Sequence, residues 1–434
     1  MKYLAIIVFV LFSFVGLAQQ NKVTGIVPVK YFPIVTPEKA GLDGVKLQLI
    51  DSIANNAIQK GATPGCVVLV ARNGKVGYYK AFGKMNYDSD EPVTISTVYD
   101  MASVTKTSAT TLAVMKLYED GKLDLDKTLG DYLPWTLGSD KAQLKIRNVL
   151  LHQAGLVSYI PFYKETIDKI TGQPIPGYYQ TSSDMTYNIP VGDKMFMRKD
   201  VTDTLYKRIL QSKLGPSNKY VYSDNDFIFM GKVVEQITGK PLDEYVKTTF
   251  YLPLGMISTT FKPIEQMPLN VIAPTEKEKY FRLQQIRGFV HDPGAAMFGG
   301  VAGHAGLFSN AYDLAKLYQM FLNGGKLNGV KLLKPETLNY FTAYQSDISR
   351  RGLGFDKPEK DNSTNASPYP SKYVSPETFG HTGFTGIGVW ADPKYDLLYI
   401  FFSNRVCPDG ENNKLSELSV RGNIQDVIYQ SLIK

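Results

Sequence analysis

Hydrophobic and polar positions change period several times along the chain, and each change marks an element. From Gly41 to about Lys60 the apolar residues Val45, Leu47, Leu49, Ile50, Ile53, Ala54 and Ile58 predict a helix. The next run, CVVLVARNGKVGYYKAFG, is two β-rich segments around Asn73-Gly74, the dipeptide best suited to a tight hairpin turn. MASVTKTSATTLAVMKLYEDG predicts a helix starting near Ala102, with Lys106, Ala109, Ala113 and Leu117 on one face. A mostly helical region comes next, containing a Tyr- and Pro-rich stretch from Tyr159 to Phe196. Near the end, GIGVWADPKYDLLYIFFSN predicts a second hairpin, Gly386 to Ala391 and Leu397 to Ser403, turning at Asp392-Pro393. The closing stretch LSELSVRGNIQDVIYQSLIK predicts an amphipathic helix.

Strands therefore stand at both ends of the chain with helices between them. The expected fold class is α+β: one antiparallel sheet built from both chain ends and flanked by terminal helices, with a mainly helical lobe inserted. This arrangement implies an α/β lobe of about 38–100 plus 376–434 and a helical lobe of about 101–375. A crevice between two such lobes is a common place for an active site. The Pro-, Ser- and Asn-rich segment from Lys357 to Pro376 is the candidate mobile loop.

The opening MKYLAIIVFVLFSFVGLAQQ has one lysine, a short apolar run, and Gly16 and Ala18 at the small-residue positions before a cleavage point. It reads as a signal peptide over 1–18, succeeded by an extended leader over 19–37 with Pro28, Pro33 and Pro37. An uncleaved anchor is the weaker alternative. No cysteine comes after the small residues, and no later stretch is long enough to span a bilayer. The protein is expected to be exported, to the periplasm or the extracellular space, with no stable membrane span after signal removal.

Charge and cysteine content narrow the chemistry. The formal charge of +7 falls to +6 without Lys2, and the basic residues are scattered. That balance suits an anionic polymer and gives no reason to expect a nucleic-acid partner. Cys66 and Cys407 are the only cysteines, which excludes a disulfide framework and a zinc-type cysteine cluster and leaves a single bridge between them open.

Lys106 is the residue that most needs explaining. In the first turn of a helix it opposes the macrodipole, and its shared face with Ala109 and Ala113 turns its ammonium inward. Both costs lower a lysine pKa, which a lysine needs if it is to take the proton of a serine such as Ser103. The plain alternative is an N-capping Ser103 and a snorkelling Lys106. Two further blocks supply partners. In YVYSDNDFIFMG, Tyr222 could relay a proton and Asp224 could hold the lysine. In FGHTGFTGIGVW, His381, Thr382 and Gly383 precede a strand, and the Phe384 N–H could pair with that of Ser103 as an oxyanion hole. Each block alone reads as an ordinary cap or strand start.

Together, Ser103-x-x-Lys106, Tyr222-x-Asp224 and His381-Thr382-Gly383 resemble the three motifs of the serine β-lactamase and penicillin-binding protein superfamily. IRNVLLHQAGL, GGVAGHAGLFSNAYDLAK and GHTGFTGIGVWADP resemble its class C β-lactamase-related branch, from about Pro37 onward. The resemblance implies a β-lactamase/transpeptidase-like fold and an acyl-enzyme mechanism needing no metal or organic cofactor. Penicillin-directed members usually carry Asn where this chain has Asp224 and Lys where it has His381. A part-time charge at His381 weakens any fixed anchor for a substrate carboxylate.

GFVHDPGAAMFGGVAGHAGLFS is similar to exported serine amidases that cut between N-acetylmuramic acid and L-alanine, and to the serine-hydrolase module some proteins fuse to a β-N-acetylglucosaminidase. Within it His291, Asp292 and His304 either line the pocket or brace a Gly-rich loop; a metal site from the three is not expected. His152 is expected to be a satisfied, partly buried histidine, and the tyrosines from Tyr159 to Tyr187 either stack on sugars or pack. The reading is an exported serine hydrolase acting on a small-molecule or cell-wall-fragment amide. The alternatives are a carboxylesterase, a D-Ala-directed peptidase, a weak β-lactamase or, in another class, a non-catalytic muropeptide-binding protein.

Overall fold

Asn73 and Gly74 both take positive φ, 53° and 68°, and close the first hairpin where the sequence puts it. In the computed structural model, which describes residues 32–217 and 219–433, that hairpin belongs to a five-stranded antiparallel sheet. The strands are β1 (Gly65–Arg72), β2 (Lys75–Gly83), β3 (Phe379–Thr382), β4 (Gly388–Asp392) and β5 (Leu397–Ser403), in the order β3-β4-β5-β1-β2. The two chain ends meet between β1 and β5, with Val68 opposite Phe401. The second hairpin turns through a short 3₁₀ segment at Pro393–Tyr395. The expected signal peptide and the expected leader as far as residue 31 lie outside the described residues.

Five helices frame the core and the site: α1 (Gly44–Gln59), α2 (Leu112–Glu119), α3 (Asp224–Thr238), α4 (Ala311–Leu322) and α5 (Val420–Gln430). Asp43 caps α1 by accepting from the Val45 and Lys46 amides. Because strand side chains alternate, Val68, Val70, Tyr399 and Phe401 face Leu47 and Ile50 of α1 and Ile424 and Ile428 of α5. Val67, Leu69, Leu398 and Ile400 join the second and larger core, which includes Leu314 and Leu317 of α4.

Several elements differ from the sequence reading. The C-terminal helix is two, Lys414–Glu417 and α5, broken where Ser419 turns left-handed at φ 49°. The central region holds strands as well as helices: Tyr179–Gln180, Tyr187–Gly192 and Met195–Arg198 form a small sheet. Tyr99–Asp100, Leu307–Ser309 and Thr260–Phe261 form another. The last leader residues are packed, with Pro33 and Val35 hydrogen-bonded to Val76 of β2. The Lys357–Pro376 segment is tied down rather than loose. Lys357 is buried with its ammonium on the Thr378 carbonyl, and Tyr369 packs edge-on against Trp390. Cys66 and Cys407 are both free and buried, so no bridge joins them. Phe32–Lys434 is one compact unit, and among the described residues no helix is long and apolar enough to cross a membrane.

Candidate active site

Ser103 stands on a turn set up by its predecessors. The short strand Tyr99–Asp100 pairs with Leu307–Ser309, and the chain then reverses at Ala102, whose φ is +44°. That conformation is costly for a residue with a Cβ, and it is held by the Ala102 N–H donating to Asp100 Oδ1 at 2.8 Å. The next turn is not the regular helix expected from Ala102. Lys106–Thr111 winds as a π-helix before α2 begins, a wide turn often found at functional sites. All six of its residues are buried, so this segment runs through the middle of the protein.

Lys106 has no solvent exposure, and its ammonium finds three acceptors: Ser103 Oγ at 3.1 Å, Asp224 Oδ1 at 2.7 Å and the His304 carbonyl at 3.1 Å. An ammonium has three donors, so the set is complete. Burial alone pushes this lysine down, as expected from sequence. The Asp224 carboxylate outweighs it and holds the pKa above its ordinary value, which corrects the expectation of a lowered one. Lys106 is therefore a cation at rest.

Asp224 opens α3, placed there by Ser223, whose hydroxyl caps the helix at the Asn225 amide. Close approach of α3 to the loop before His304 depends on Gly303, where a Cβ would lie 2.0 Å from the Phe227 carbonyl oxygen. Tyr222 is half-buried with its ring 5.0 Å from the Lys106 nitrogen, and its buried hydroxyl has no hydrogen-bond partner. Burial raises its pKa, so the phenol keeps its proton. His152 packs on that ring at 4.5 Å, fully rather than partly buried. Its Nδ1 is 2.8 Å from Asp226 Oδ2 and accepts from the Ser223 amide, while its Nε2 is unpartnered. Burial drives His152 down and Asp226 up, leaving a neutral pair behind Tyr222.

The third block comes in on β3. Gly383 makes the approach possible, since a Cβ there would sit 2.6 Å from the Met101 carbonyl and 3.3 Å from the Ala102 Cβ. Phe384 comes next, on the turn beside Ser103, and Thr385 ties that turn down by donating to the Asp100 carbonyl at 2.8 Å. Among the described residues neither the Ser103 nor the Phe384 amide has an acceptor, an arrangement suited to a developing oxyanion. His381, Thr382 and Gly383 do not line the cavity, and His381 and Gly383 are buried. Burial first, then the Arg351 charge, lowers His381 to about 3, so it is neutral at physiological pH rather than charged part of the time. Its Nδ1 faces the Thr382 carbonyl at 2.7 Å and its Nε2 faces the Arg351 guanidinium at 3.2 Å. Arg351, not singled out from sequence, also grips the Tyr220 hydroxyl and lies 5.3 Å over the Tyr222 ring.

Ser103, Tyr222, Asp224, His291, His304 and Phe384 all line one cavity of about 600 Å³. His291 spends Nε2 on Glu276 at 2.9 Å and stacks on Phe384, which is 55% exposed and is covered on another side by the Arg405 guanidinium at 4.4 Å. His304 spends Nε2 on Asp292 at 3.0 Å, and Asp292 also caps the short helix Pro293–Met297. Both histidines thus brace the loop and face the cavity at once. Tyr159 and Tyr163 line it too, whereas Tyr179 and Tyr187 build the small sheet. Asp100 and Glu276 were invisible in the sequence pattern. Asp100 joins the Ser103 turn, the Phe384 turn and the His291 amide, which donates to its Oδ2 at 2.6 Å. Among the described residues no group of three or more His, Cys, Asp or Glu side chains is placed to hold a metal ion.

Comparison with known proteins shows the family and the fold. The family model described as Beta-lactamase matches residues 50–420. An Escherichia coli (strain K12) protein named "Putative D-alanyl-D-alanine carboxypeptidase" is 31% identical, over 92% of this chain and 94% of its own. Among solved structures, EstCE1, "a hydrolase with promiscuous acyltransferase activity", superposes with TM-score 0.63 at 22% identity, covering 89% of this chain and 99% of that one. "A class C beta-lactamase" superposes with TM-score 0.62 at 19% identity, covering 88% and 96%.

Proposed function

Since the chain belongs to the beta-lactamase family, whose relatives make it a hydrolase, we propose that it is an exported serine hydrolase working through an acyl-enzyme on amides derived from peptidoglycan. The observation that carries the reading is Lys106, buried without exposure and hydrogen-bonded to Ser103 Oγ beneath an open cavity. Ser103 attacks the carbonyl carbon, forming an ester bond to the acyl group. Its proton passes to Lys106 in the fraction of molecules where that lysine is neutral, and then by way of Tyr222 to the leaving nitrogen. The Ser103 and Phe384 amides stabilise the tetrahedral oxyanion, and water releases the acyl group. Export is supported by the signal-like opening MKYLAIIVFVLFSFVGLAQQ.

The carboxypeptidase-named relative favours a cell-wall substrate. The neutral His381 argues against a bond flanked by a terminal carboxylate, as in D-Ala-D-Ala peptides and penicillins, and for a muramoyl-L-alanine-type amide. A carboxylesterase is the second reading, since it also needs no such anchor. Intact-mass spectrometry after fluorophosphonate treatment tests the mechanism, with Ser103→Ala beside the wild type. One adduct on the wild type alone is expected, together with cleavage of a muramoyl-peptide. Turnover of simple esters without muropeptide cleavage would select the esterase. No adduct on folded protein would leave a binding protein on the same fold.

A further inference from the structure

The chain carries a net charge of +7, yet its catalytic cavity has the opposite character. Four carboxylates line it, Asp224, Glu276, Asp292 and Glu411, and among the described residues no Lys or Arg does. Cations near it are already engaged, Arg351 by the Tyr220 hydroxyl and His381. Lys106 holds Asp224 from below, and Arg405 lies on the Phe384 ring with its guanidinium on the Gly410 and Asn412 carbonyls. Glu276 is held as a carboxylate by His291 and Tyr280, and Asp292 by His304 and the Ala295 amide. Glu411 is exposed at the cavity mouth.

A second observation points to a ligand. His304 is 2% exposed, lies on the cavity wall, and has a buried Nδ1 with no hydrogen-bond partner. With Nε2 taken up by Asp292, Nδ1 is left facing no group of the protein, and a buried polar atom left unused is costly unless a partner arrives. The remaining wall is aromatic, from Tyr159, Tyr163 and Tyr280, and the π-faces of such rings attract cations.

We propose that the cavity is built for a primary ammonium group, so that the substrate presents a positive amine beside the bond Ser103 attacks. Glu276 and Asp292 supply the charge, His304 Nδ1 accepts one N–H, and Glu411 draws the cation in at the mouth. This rests on the serine-hydrolase reading and names the substrate class within it: an amide carrying either a free α-amine or the unlinked side-chain amine of a diamino acid. Substrates whose nearby group is a carboxylate meet like charges at Glu276, Asp292 and Glu411 and are disfavoured.

Protection of Ser103 from the fluorophosphonate tests this whether or not a ligand is turned over. One pair of probes is alanyl 4-nitroanilide against its N-acetyl form; the other is Nα-acetyl-lysyl 4-nitroanilide against its diacetyl form. The free amine of at least one pair should protect at a concentration about tenfold lower than its acetylated partner. The first pair reports an α-amine and the second a side-chain amine. Within Glu276→Gln, and separately within Glu411→Gln, the ratio should shrink toward one, a comparison internal to each variant that a general loss of activity does not move. Equal protection, or none, from both members of both pairs while Ser103 labels normally overturns the ammonium site and leaves the hydrolase standing. Failure of the folded protein to label overturns both.

Discussion

Asp224 Oδ1 lies 2.7 Å from the same Lys106 nitrogen that reaches Ser103 Oγ at 3.1 Å, so one carboxylate sets how readily the lysine gives up its proton to become a base. That lysine pKa stands above 10.5, and kcat/KM of the wild type should therefore climb with pH through the neutral range toward the alkaline limit of stability. Asp224→Asn removes the charge that raises it and leaves the burial that lowers it. Its kcat/KM–pH profile should rise at lower pH than the wild type's; an unmoved profile would mean that Lys106 is not the titrating base.

Lys106→Met keeps much of the side-chain volume and removes the amine. The loss in kcat/KM on any turned-over ester or amide should be about 10²- to 10⁴-fold, with fluorophosphonate labelling slowed in step. Ser103→Ala should abolish labelling altogether.

Gly383→Ala places a methyl 2.6 Å from the Met101 carbonyl, which moves the Phe384 amide away from Ser103. Steady-state kinetics should show kcat reduced about 10²- to 10³-fold, the scale of one lost oxyanion donor, with a much smaller change in KM.

Acid should destabilise the fold earlier than carboxylates alone would. His381 has an ordinary pKa near 6.5 and a folded value of about 3. Between those limits the unfolded chain holds the extra proton, so stability is full above the upper value and is lost as pH falls, at about 1.4 kcal/mol per unit for this residue. Buried neutral His152 adds in the same direction. Melting temperature should fall measurably between pH 6.5 and 4, and His381→Gln should flatten that slope.

The two thiols should be silent. Burial pushes Cys66 and Cys407 to about 12, and they are not joined. Folded protein should resist a thiol reagent such as Ellman's until denatured, and a reductant should leave its melting temperature unchanged.

Much of this was legible in the chain because local chemistry carries it. Asn73-Gly74 can close only a tight turn, and the apolar runs of β1 and β5 suit the centre of a sheet. The spacing of Ser103 and Lys106 likewise survives into the structure. What stayed hidden depends on distances through space. Lys106 reads as a lowered lysine until Asp224, 118 residues away, is beside it. Asp100 binds the His291 amide across 191 residues, and no periodicity announces such a contact. Arg351 sits in no motif, yet its charge helps to keep His381 neutral. Ser419 breaks the last helix with neither Gly nor Pro to signal it.

The two rims of the central sheet share a property. On β2, Pro33 and Val35 occupy the hydrogen-bonding groups of Val76; on β3, Asp356 exchanges both backbone hydrogen bonds with Gly380. An incoming strand from another molecule thus meets a ladder that is interrupted on either side. Such interruption is one way a protein with long apolar strands avoids templating its own polymerisation. Trimming residues 32–36 would reopen the β2 rim, so these first described residues guard the sheet against fibres.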